Sequence, residues 1–284
     1  MQHSDFTEVY VWGSDSQGQL GLGSQKPFAR YLALPKCVSF GTNISKIECG
    51  NDHSALITDR GHLFVMGSNQ DGKLGIGDST LLCTSDPTLV EGLAQPVSDV
   101  ACGDDHTLAV TTAGELFAWG KRALLGLRTF DSPTQNCFFP ERVNLDAKVR
   151  VESVAAGSRH SLAIDDGGSV YAWGDNSEGQ LGTGLQGKDE ERPRVLSQVR
   201  ERAVGVACGA LHSLVLGYSG RVYAMGCNAN GQLGTGSQTG YMLEQVAALD
   251  GYRIKKVRAR GHASAAVTSS GELFIWGRGF AAAP

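Results

Sequence analysis

The side chains that could perform acid–base chemistry recur in one short pattern, a glycine followed three residues later by a histidine. The pattern occurs four times and supplies the imidazoles of His53, His106, His160 and His212. An imidazole titrates near neutral pH and is therefore a candidate general base. A residue that returns in every repeat is more simply explained as architecture that bridges backbone groups where one strand meets the next. We therefore favour the structural interpretation.

Thiols and glycine-rich loops offer two further kinds of chemistry. Three cysteines precede the same turn glycine (Cys49, Cys102 and Cys208), but the next copy has Ala156 at this position. Alanine can replace a small buried side chain but not a metal ligand, so the pattern indicates buried structural thiols. Glycine-rich stretches such as Gly18–Gly23 are predicted to be turns, because no helix follows to complete a phosphate site. The sequence predicts no metal, no cofactor and no enzymatic activity.

Composition excludes several classes of protein. The 284 residues include 38 glycines, roughly twice the average usage, and carry a net charge of −4 from 25 basic and 29 acidic side chains. This charge argues against a nucleic-acid partner, and no apolar run approaches the roughly 20 residues of a membrane span. Seven scattered cysteines and the absence of a signal-like N-terminus favour an intracellular protein. The cytoplasm is the expected compartment, with the nucleus and the cilium as alternatives.

An internal repeat positions all of these residues. A strand-like segment that ends in glycine occurs six times, and the final glycines lie 51 to 54 residues apart. These segments are Val9–Gly13, Leu63–Gly67, Leu116–Gly120, Val170–Gly174, Val222–Gly226 and Leu273–Gly277. All but the first are preceded by a short strand, a turn that carries the histidine in four copies, and a second strand, and most are followed by a glycine-rich loop and a fourth strand. Four strands in about 50 residues, repeated in tandem, predict an all-β fold of propeller blades.

The combined motif resembles the repeat of the regulator of chromosome condensation family. The motif reads Gly-x-x-His-Ser/Thr, then Gly-x-Val/Leu-Phe/Tyr-Ala-Trp-Gly, then Gly-Gln-Leu-Gly, and it extends from about Val9 to Gly277. The resemblance implies a β-propeller of four-stranded antiparallel blades, usually seven of them. We predict one propeller domain over residues 1–284, with repeat units at about 9–43, 44–96, 97–147, 148–202, 203–252 and 253–277.

The phase of the repeat predicts four complete blades with partial blades at both ends. The chain opens on a third strand and ends just after another. We expect an incomplete seven-blade arc, although a short isoform or a smaller closed ring remain alternatives. The last repeat has Arg260 in place of the turn glycine and Ala263 in place of the histidine, so its turn is expected to differ.

Acidic residues in the histidine turns are one set of candidate partner-binding residues. Asp52, Asp104 and Asp105 lie between the glycine and the histidine of two successive repeats. In the exchange-factor member of the resembled family, acidic and histidine residues of these turns help to engage the small GTPase Ran. Acidic residues also commonly cap turns, which is the competing structural explanation.

An aromatic loop that breaks the repeat supplies the second set. Phe130, Phe138 and Phe139 follow a degraded glycine-rich block at residues 121–127. These rings are predicted either to anchor an interface or to fold back onto the edge of a blade. The leading hypothesis is a non-enzymatic scaffold that binds another protein through loops on a rigid propeller, alone or as part of a larger chain or assembly. The alternative is guanine-nucleotide exchange on a Ran-like small GTPase through the acidic turns.

Overall fold

The computed structural model describes residues 6–23, 31–127, 135–237 and 240–279. Throughout these ranges the regular structure is antiparallel β-sheet, interrupted by three short 3-10 turns at Gln70–Gly72, Arg122–Leu124 and Ala247–Leu249. No helix in the described ranges is long or apolar enough to cross a bilayer. The prediction of an all-β propeller of four-stranded antiparallel blades is confirmed.

Sheets 1 to 3 make up one compact unit. Sheet 1 has two strands, β1 (Val9–Ser14) and β2 (Tyr31–Val38). Sheet 2 has four, β3 (Ile44–Cys49), β4 (His53–Thr58), β5 (Leu63–Ser68) and β6 (Cys83–Leu89). Sheet 3 has four, β7 (Val97–Cys102), β8 (His106–Thr111), β9 (Leu116–Gly120) and β10 (Cys137–Arg142).

A second compact unit contains sheets 4 to 6 together with residues 123–127. Sheet 4 contains β11 (Val151–Ala156), β12 (His160–Asp165), β13 (Val170–Gly174) and β14 (Glu190–Val195). Sheet 5 contains β15 (Ala203–Cys208), β16 (His212–Gly217), β17 (Val222–Gly226) and β18 (Glu244–Gln245). Sheet 6 has three strands, β19 (Ile254–Arg260), β20 (Ala263–Thr268) and β21 (Leu273–Gly277).

Strand sequence and burial agree within each sheet. The second strand of sheets 2 to 5 is buried along its whole length, because both of its faces are covered. Its small and aliphatic residues suit such a position. A short turn ending on glycine then reverses the chain, as at Gly61, whose φ of +77° is a conformation that glycine adopts without strain. Each sheet is therefore a meander with a fixed register.

Successive sheets are joined by a relay of hydrogen bonds that starts at the repeated histidine. His212 Nε2 lies 2.8 Å from Ser264 Oγ in the next sheet, and Ser264 Oγ donates to the carbonyl of Gln232, 2.7 Å away. His53 Nε2 likewise lies 2.9 Å from Thr107 Oγ1, which donates to the carbonyl of Lys73 at 2.7 Å. Because the hydroxyl gives its one proton to the carbonyl, the histidine must donate from Nε2. The structural interpretation of the histidines is supported.

The tryptophans reinforce the same joints. Trp119 Nε1 donates to the Lys73 carbonyl at 2.9 Å, and Trp276 Nε1 donates to the Gln232 carbonyl at 2.9 Å, so each carbonyl accepts two bonds from the next sheet. The degraded glycine-rich block at residues 121–127 also accepts such a bond, since Trp173 Nε1 donates to the Leu124 carbonyl at 3.1 Å. Trp119, Trp173 and Trp276 therefore pack as wedges between sheets.

Burial departs from prediction in and next to the two-stranded sheet 1. Cys102 and Cys208 are buried as expected, but the prediction was wrong for Cys49, which is exposed. Cys49 ends β3, the first strand of sheet 2, and the neighbouring sheet 1 has two strands among the described residues, where sheet 2 has four. Trp12, in the same two-stranded sheet, is 60% exposed although its counterparts Trp119 and Trp173 are fully buried.

The glycine of the histidine turn is required by packing at the joint. A Cβ on Gly157 would lie 2.2 Å from Cε1 of His160 and 2.6 Å from the carbonyl oxygen of Gly209 in the next sheet. We predict that Gly157→Ala lowers the free energy of unfolding by about 3 kcal/mol, since backbone atoms of two sheets must move apart. Urea denaturation measures this change.

Gly205→Ala is the matched control for that substitution. Gly205 lies within strand β15, and the nearest atom to its added Cβ would be 3.5 Å away, an ordinary contact. Its effect is expected to stay within about 0.5 kcal/mol. Equal losses in the two variants would show that the joint does not require glycine.

Candidate functional site

The acidic candidates lie in the histidine turns of two adjacent sheets. Asp52 is in the turn between β3 and β4, and Asp104 and Asp105 are in the turn between β7 and β8. All three are half-buried. The register pairs His106 with Gly120, and Gly120 with Cys137, so the turn that holds Asp104 and Asp105 lies at the same end of sheet 3 as the start of β10.

A buried lysine brings the two turns together. Lys73 lies in the glycine-rich loop of sheet 2, where three other repeats have Gln19, Gln180 and Gln232. Its side chain is 2% exposed, and its ammonium lies 2.9 Å from Asp52 Oδ1 and 3.4 Å from Asp105 Oδ1. It also donates to the carbonyl of Asp104 at 2.7 Å. The three donors of the ammonium therefore have three acceptors, as a buried charge requires.

This ion cluster changes the expected surface. The carboxylates of Asp52 and Asp105 are compensated by Lys73, and Asp105 is also 3.7 Å from Lys121 Nζ. Among the residues that the structure describes, the Asp104 carboxylate forms no ion pair. The exposed negative charge of the two turns is therefore concentrated on Asp104, rather than shared by three aspartates.

Two of the repeated histidines, one of them next to this cluster, are unsuited to acid–base work. His106 is fully buried, and burial lowers its pKa from 6.5 to about 4. Burial likewise lowers the pKa of His212 to about 4. Both imidazoles are therefore neutral at pH 7 and out of contact with solvent. Burial also raises the pKa of the Cys137 and Cys208 thiols to about 12, so neither is a ready nucleophile.

The aromatic candidates lie at the start of β10 and pack onto the preceding sheet. A Cβ on Gly77 would lie 2.2 Å from Cε1 of Phe139, and one on Gly72 would lie 3.0 Å from Cδ1 of Phe138. The amide of Gly77 donates to the Phe138 carbonyl at 2.8 Å. Both rings thus fold back onto the glycine-rich loop of sheet 2. Phe139 nevertheless remains 62% exposed, and Phe130 lies outside the described residues.

Sequence reasoning missed Lys73, although a signal was present. A lysine replaces glutamine in the one glycine-rich loop that lies next to two aspartate-containing turns. Within the described ranges, no three His, Cys, Asp or Glu residues are grouped so that they could hold a metal ion. The candidate site therefore contains a charge-compensated cluster around Lys73, a half-buried Asp104 without an ion pair among the described residues, and Phe139 with 62% of its side chain exposed.

Comparisons with known proteins agree with this fold. A family model described as an RCC1-like domain matches residues 8–282. The ultraviolet-B receptor UVR8 of Arabidopsis thaliana is 32% identical over 276 residues, which cover 95% of this chain and 60% of the receptor. The secretion-regulating guanine nucleotide exchange factor of Bos taurus is 33% identical over 283 residues, covering 95% of this chain and 59% of that protein.

A solved structure shows the same fold. The crystal structure of human WBSCR16 superposes with a TM-score of 0.85 at 23% identity, over 95% of this chain and 75% of that one. The chain spans about 60% of the length of the two relatives. The resemblance predicted from the repeat motif is confirmed.

The Lys73 cluster is testable by removal of its cation. We predict that Lys73→Met lowers the free energy of unfolding by about 2 kcal/mol, less than the 3–5 kcal/mol typical of a fully buried pair. The loss is moderated because the Asp52 and Asp105 side chains are 25% and 30% exposed and water can reach them. Urea denaturation provides the measurement.

Two further variants separate the ion cluster from simple packing. Adding Asp52→Asn and Asp105→Asn to Lys73→Met should recover part of the loss, because the unpaired carboxylates are gone. Lys121→Met, which removes a 40% exposed lysine 3.7 Å from Asp105, should change stability by less than about 0.5 kcal/mol. If Lys73→Met is as mild as Lys121→Met, the cluster does not hold the turns.

Proposed function

The chain belongs to the RCC1-like domain family, and we propose that it acts as a non-enzymatic protein-interaction module. One observation carries this proposal: the polar side chains that recur in the repeats are buried and bonded between sheets, as His212, Ser264 and Trp119 illustrate. Such residues are not free to bind a partner. Binding therefore falls to exposed residues that depart from the repeat and stand on this rigid support.

Asp104 and Phe139 are the residues outside the repeat pattern that we assign to partner binding. Asp104 offers a half-buried carboxylate, and Phe139 offers a ring whose position is fixed against Gly77 but whose surface is 62% exposed. A fixed aromatic ring loses little entropy on binding and is a common anchor of interfaces. The matching partner is a protein with a basic group beside an apolar pocket. The cytoplasmic location stays a prediction.

Guanine-nucleotide exchange on a small GTPase is the second candidate. The turn Gly103-Asp104-Asp105-His106 presents a carboxylate without an ion pair among the described residues, and one relative is named an exchange factor. An exchange factor breaks no bond; it binds the nucleotide-free state more tightly and so shifts the equilibrium towards release. Asp104 would contact the GTPase, while Asp52 and Asp105 remain bound to Lys73.

The interaction module is tested first by locating the contact. A photo-crosslinking amino acid at position 139 should capture a partner, whereas the same group at Tyr218, which is 69% exposed in sheet 5, should not. With the captured protein purified, Asp104→Asn and Phe139→Ala should each weaken binding about tenfold or more, equivalent to about 1.4 kcal/mol. Tyr218→Ala should have no effect. Full affinity in both variants would refute the assigned surface.

A separate assay decides between the two candidates. Release of fluorescent GDP is followed from a panel of purified small GTPases with micromolar amounts of the chain. Exchange predicts acceleration that Asp104→Asn removes. No acceleration from any GTPase would eliminate exchange and leave the interaction module to be judged by crosslinking.

A further inference from the structure

The glycine-rich loop of sheet 5 carries the one Asn-Gly dipeptide of the sequence. Asn230 precedes Gly231 there, and both residues are exposed. The backbone amide of Asn230 donates to Gln232 Oε1 at 2.8 Å, but its side-chain amide has no hydrogen-bond partner among the residues that the structure describes. The Asn230 side chain is therefore free to react with the main chain that follows it.

Two atoms take part in such a reaction, Cγ of Asn230 and the backbone nitrogen of Gly231. The nitrogen loses its proton and attacks Cγ, so a new C–N bond forms while the bond to the side-chain NH2 breaks and ammonia leaves. Water then opens the cyclic imide at either of its carbonyls, which yields aspartate or isoaspartate. The reaction is a deamidation, and water is its only co-reactant.

The surroundings of Gly231 favour this attack. Glycine places no side chain beside the attacking nitrogen, and a Cβ at this position would have no atom within 4 Å, so the turn has space to move. The Gly231 amide donates to the Asn228 carbonyl at 3.0 Å, and this bond must open first. Residues 229–231 are exposed, and exposed turns open readily because few buried contacts hold them.

Every other asparagine precedes a residue that has a side chain. Asn144 is exposed, but the side chain of Leu145 hinders attack by the following nitrogen. Asn176 is fully buried. Asn228, two residues before the reactive amide, is held in place because its Oδ1 accepts from the Leu233 amide at 2.9 Å. The features that favour deamidation therefore coincide at Asn230.

The other glycine-rich loops show which product this position tolerates. Sheets 1, 2 and 4 have Gln17, Asp71 and Glu178 where sheet 5 has Asn230. Two of these three residues are carboxylates, so the negative charge of an aspartate product fits the loop. An isoaspartate product differs, because the main chain then gains one carbon atom between residues 230 and 231. We therefore expect the isoaspartate linkage, rather than the charge, to disturb the loop.

The same loop forms the joint between sheets 5 and 6. The carbonyl of Gln232 accepts from Ser264 Oγ at 2.7 Å and from Trp276 Nε1 at 2.9 Å, and both donors belong to sheet 6. The Gln232 side chain is also bonded to the Asn230 amide. A longer main chain between residues 230 and 231 moves this carbonyl away from its two donors, and hydrogen bonds weaken steeply when their geometry is lost.

We propose that Asn230 is a site of spontaneous deamidation, and that its isoaspartate product weakens the joint between sheets 5 and 6. The chain thus carries a slow chemical change that acts on one of its sheet contacts. Asp104 and Phe139 belong to the other compact unit, so this inference does not depend on the proposed function.

The test is to age the full chain in mildly alkaline buffer at body temperature, because alkali removes the proton from the Gly231 amide. Peptide mapping by tandem mass spectrometry follows each asparagine over several weeks. We expect Asn230 to become an acid before any other asparagine, with isoaspartate among the products. The aged protein should melt about 2 °C or more below the fresh protein.

Two variants separate the effect of the linkage from that of the charge. Asn230→Gln, which introduces the residue type of Gln17, should stay unmodified and keep its melting temperature on ageing. Freshly purified Asn230→Asp should melt within about 1 °C of the unaged chain, because its main chain is unchanged. The proposal is overturned if Asn230 stays intact or reacts after other asparagines, if Asn230→Gln loses as much on ageing as the original chain, or if fresh Asn230→Asp already shows the whole loss.

Discussion

The hydrogen bond from a buried histidine to a hydroxyl in the next sheet is the constraint on which the rest of the structure depends. A single four-stranded sheet cannot bury both of its faces, so each sheet must be held against its neighbour at a fixed angle and register. The relay does this with neutral groups: His160 Nε2 donates to Ser213 Oγ at 2.9 Å, and Ser213 Oγ donates to the Gln180 carbonyl at 2.8 Å. Every donor in the series has an acceptor, which makes burial affordable.

The same constraint separates architecture from function. Glycine precedes the histidine because a Cβ would meet the imidazole and a backbone oxygen of the next sheet, and burial keeps the imidazole neutral. Residues that follow the repeat pattern therefore serve in the contacts between neighbouring sheets. Two departures remain informative: Lys73, which replaces a neutral glutamine with a cation between two acidic turns; and Asp104, whose charge that cation leaves exposed.

Much of the fold can be predicted from the sequence because each repeat carries the same strand and turn pattern and so predicts the same sheet independently. The glycine spacing located the third strands, and alanine at the position of the three repeated cysteines correctly indicated burial of Cys102 and Cys208. Burial of Cys49 was predicted wrongly because a pattern within one strand does not reveal how many strands the neighbouring sheet has. The Lys73 cluster was missed for a related reason: its members are 21 and 32 residues apart in sequence. The folding back of Phe138 and Phe139 depends on contacts with Gly72 and Gly77, which periodicity does not report.

A double-mutant cycle on one joint tests the central claim most directly. His212→Ala, Ser264→Ala and the double variant are compared by urea denaturation. A second cycle combines His212→Ala with Thr268→Ala, because Thr268 lies on the same strand as Ser264. We predict a coupling free energy of about 1 kcal/mol or more between His212 and Ser264, and additive effects for the second pair. Additivity within about 0.3 kcal/mol for His212 and Ser264 would contradict the account, because the sheets would then be joined without the relay.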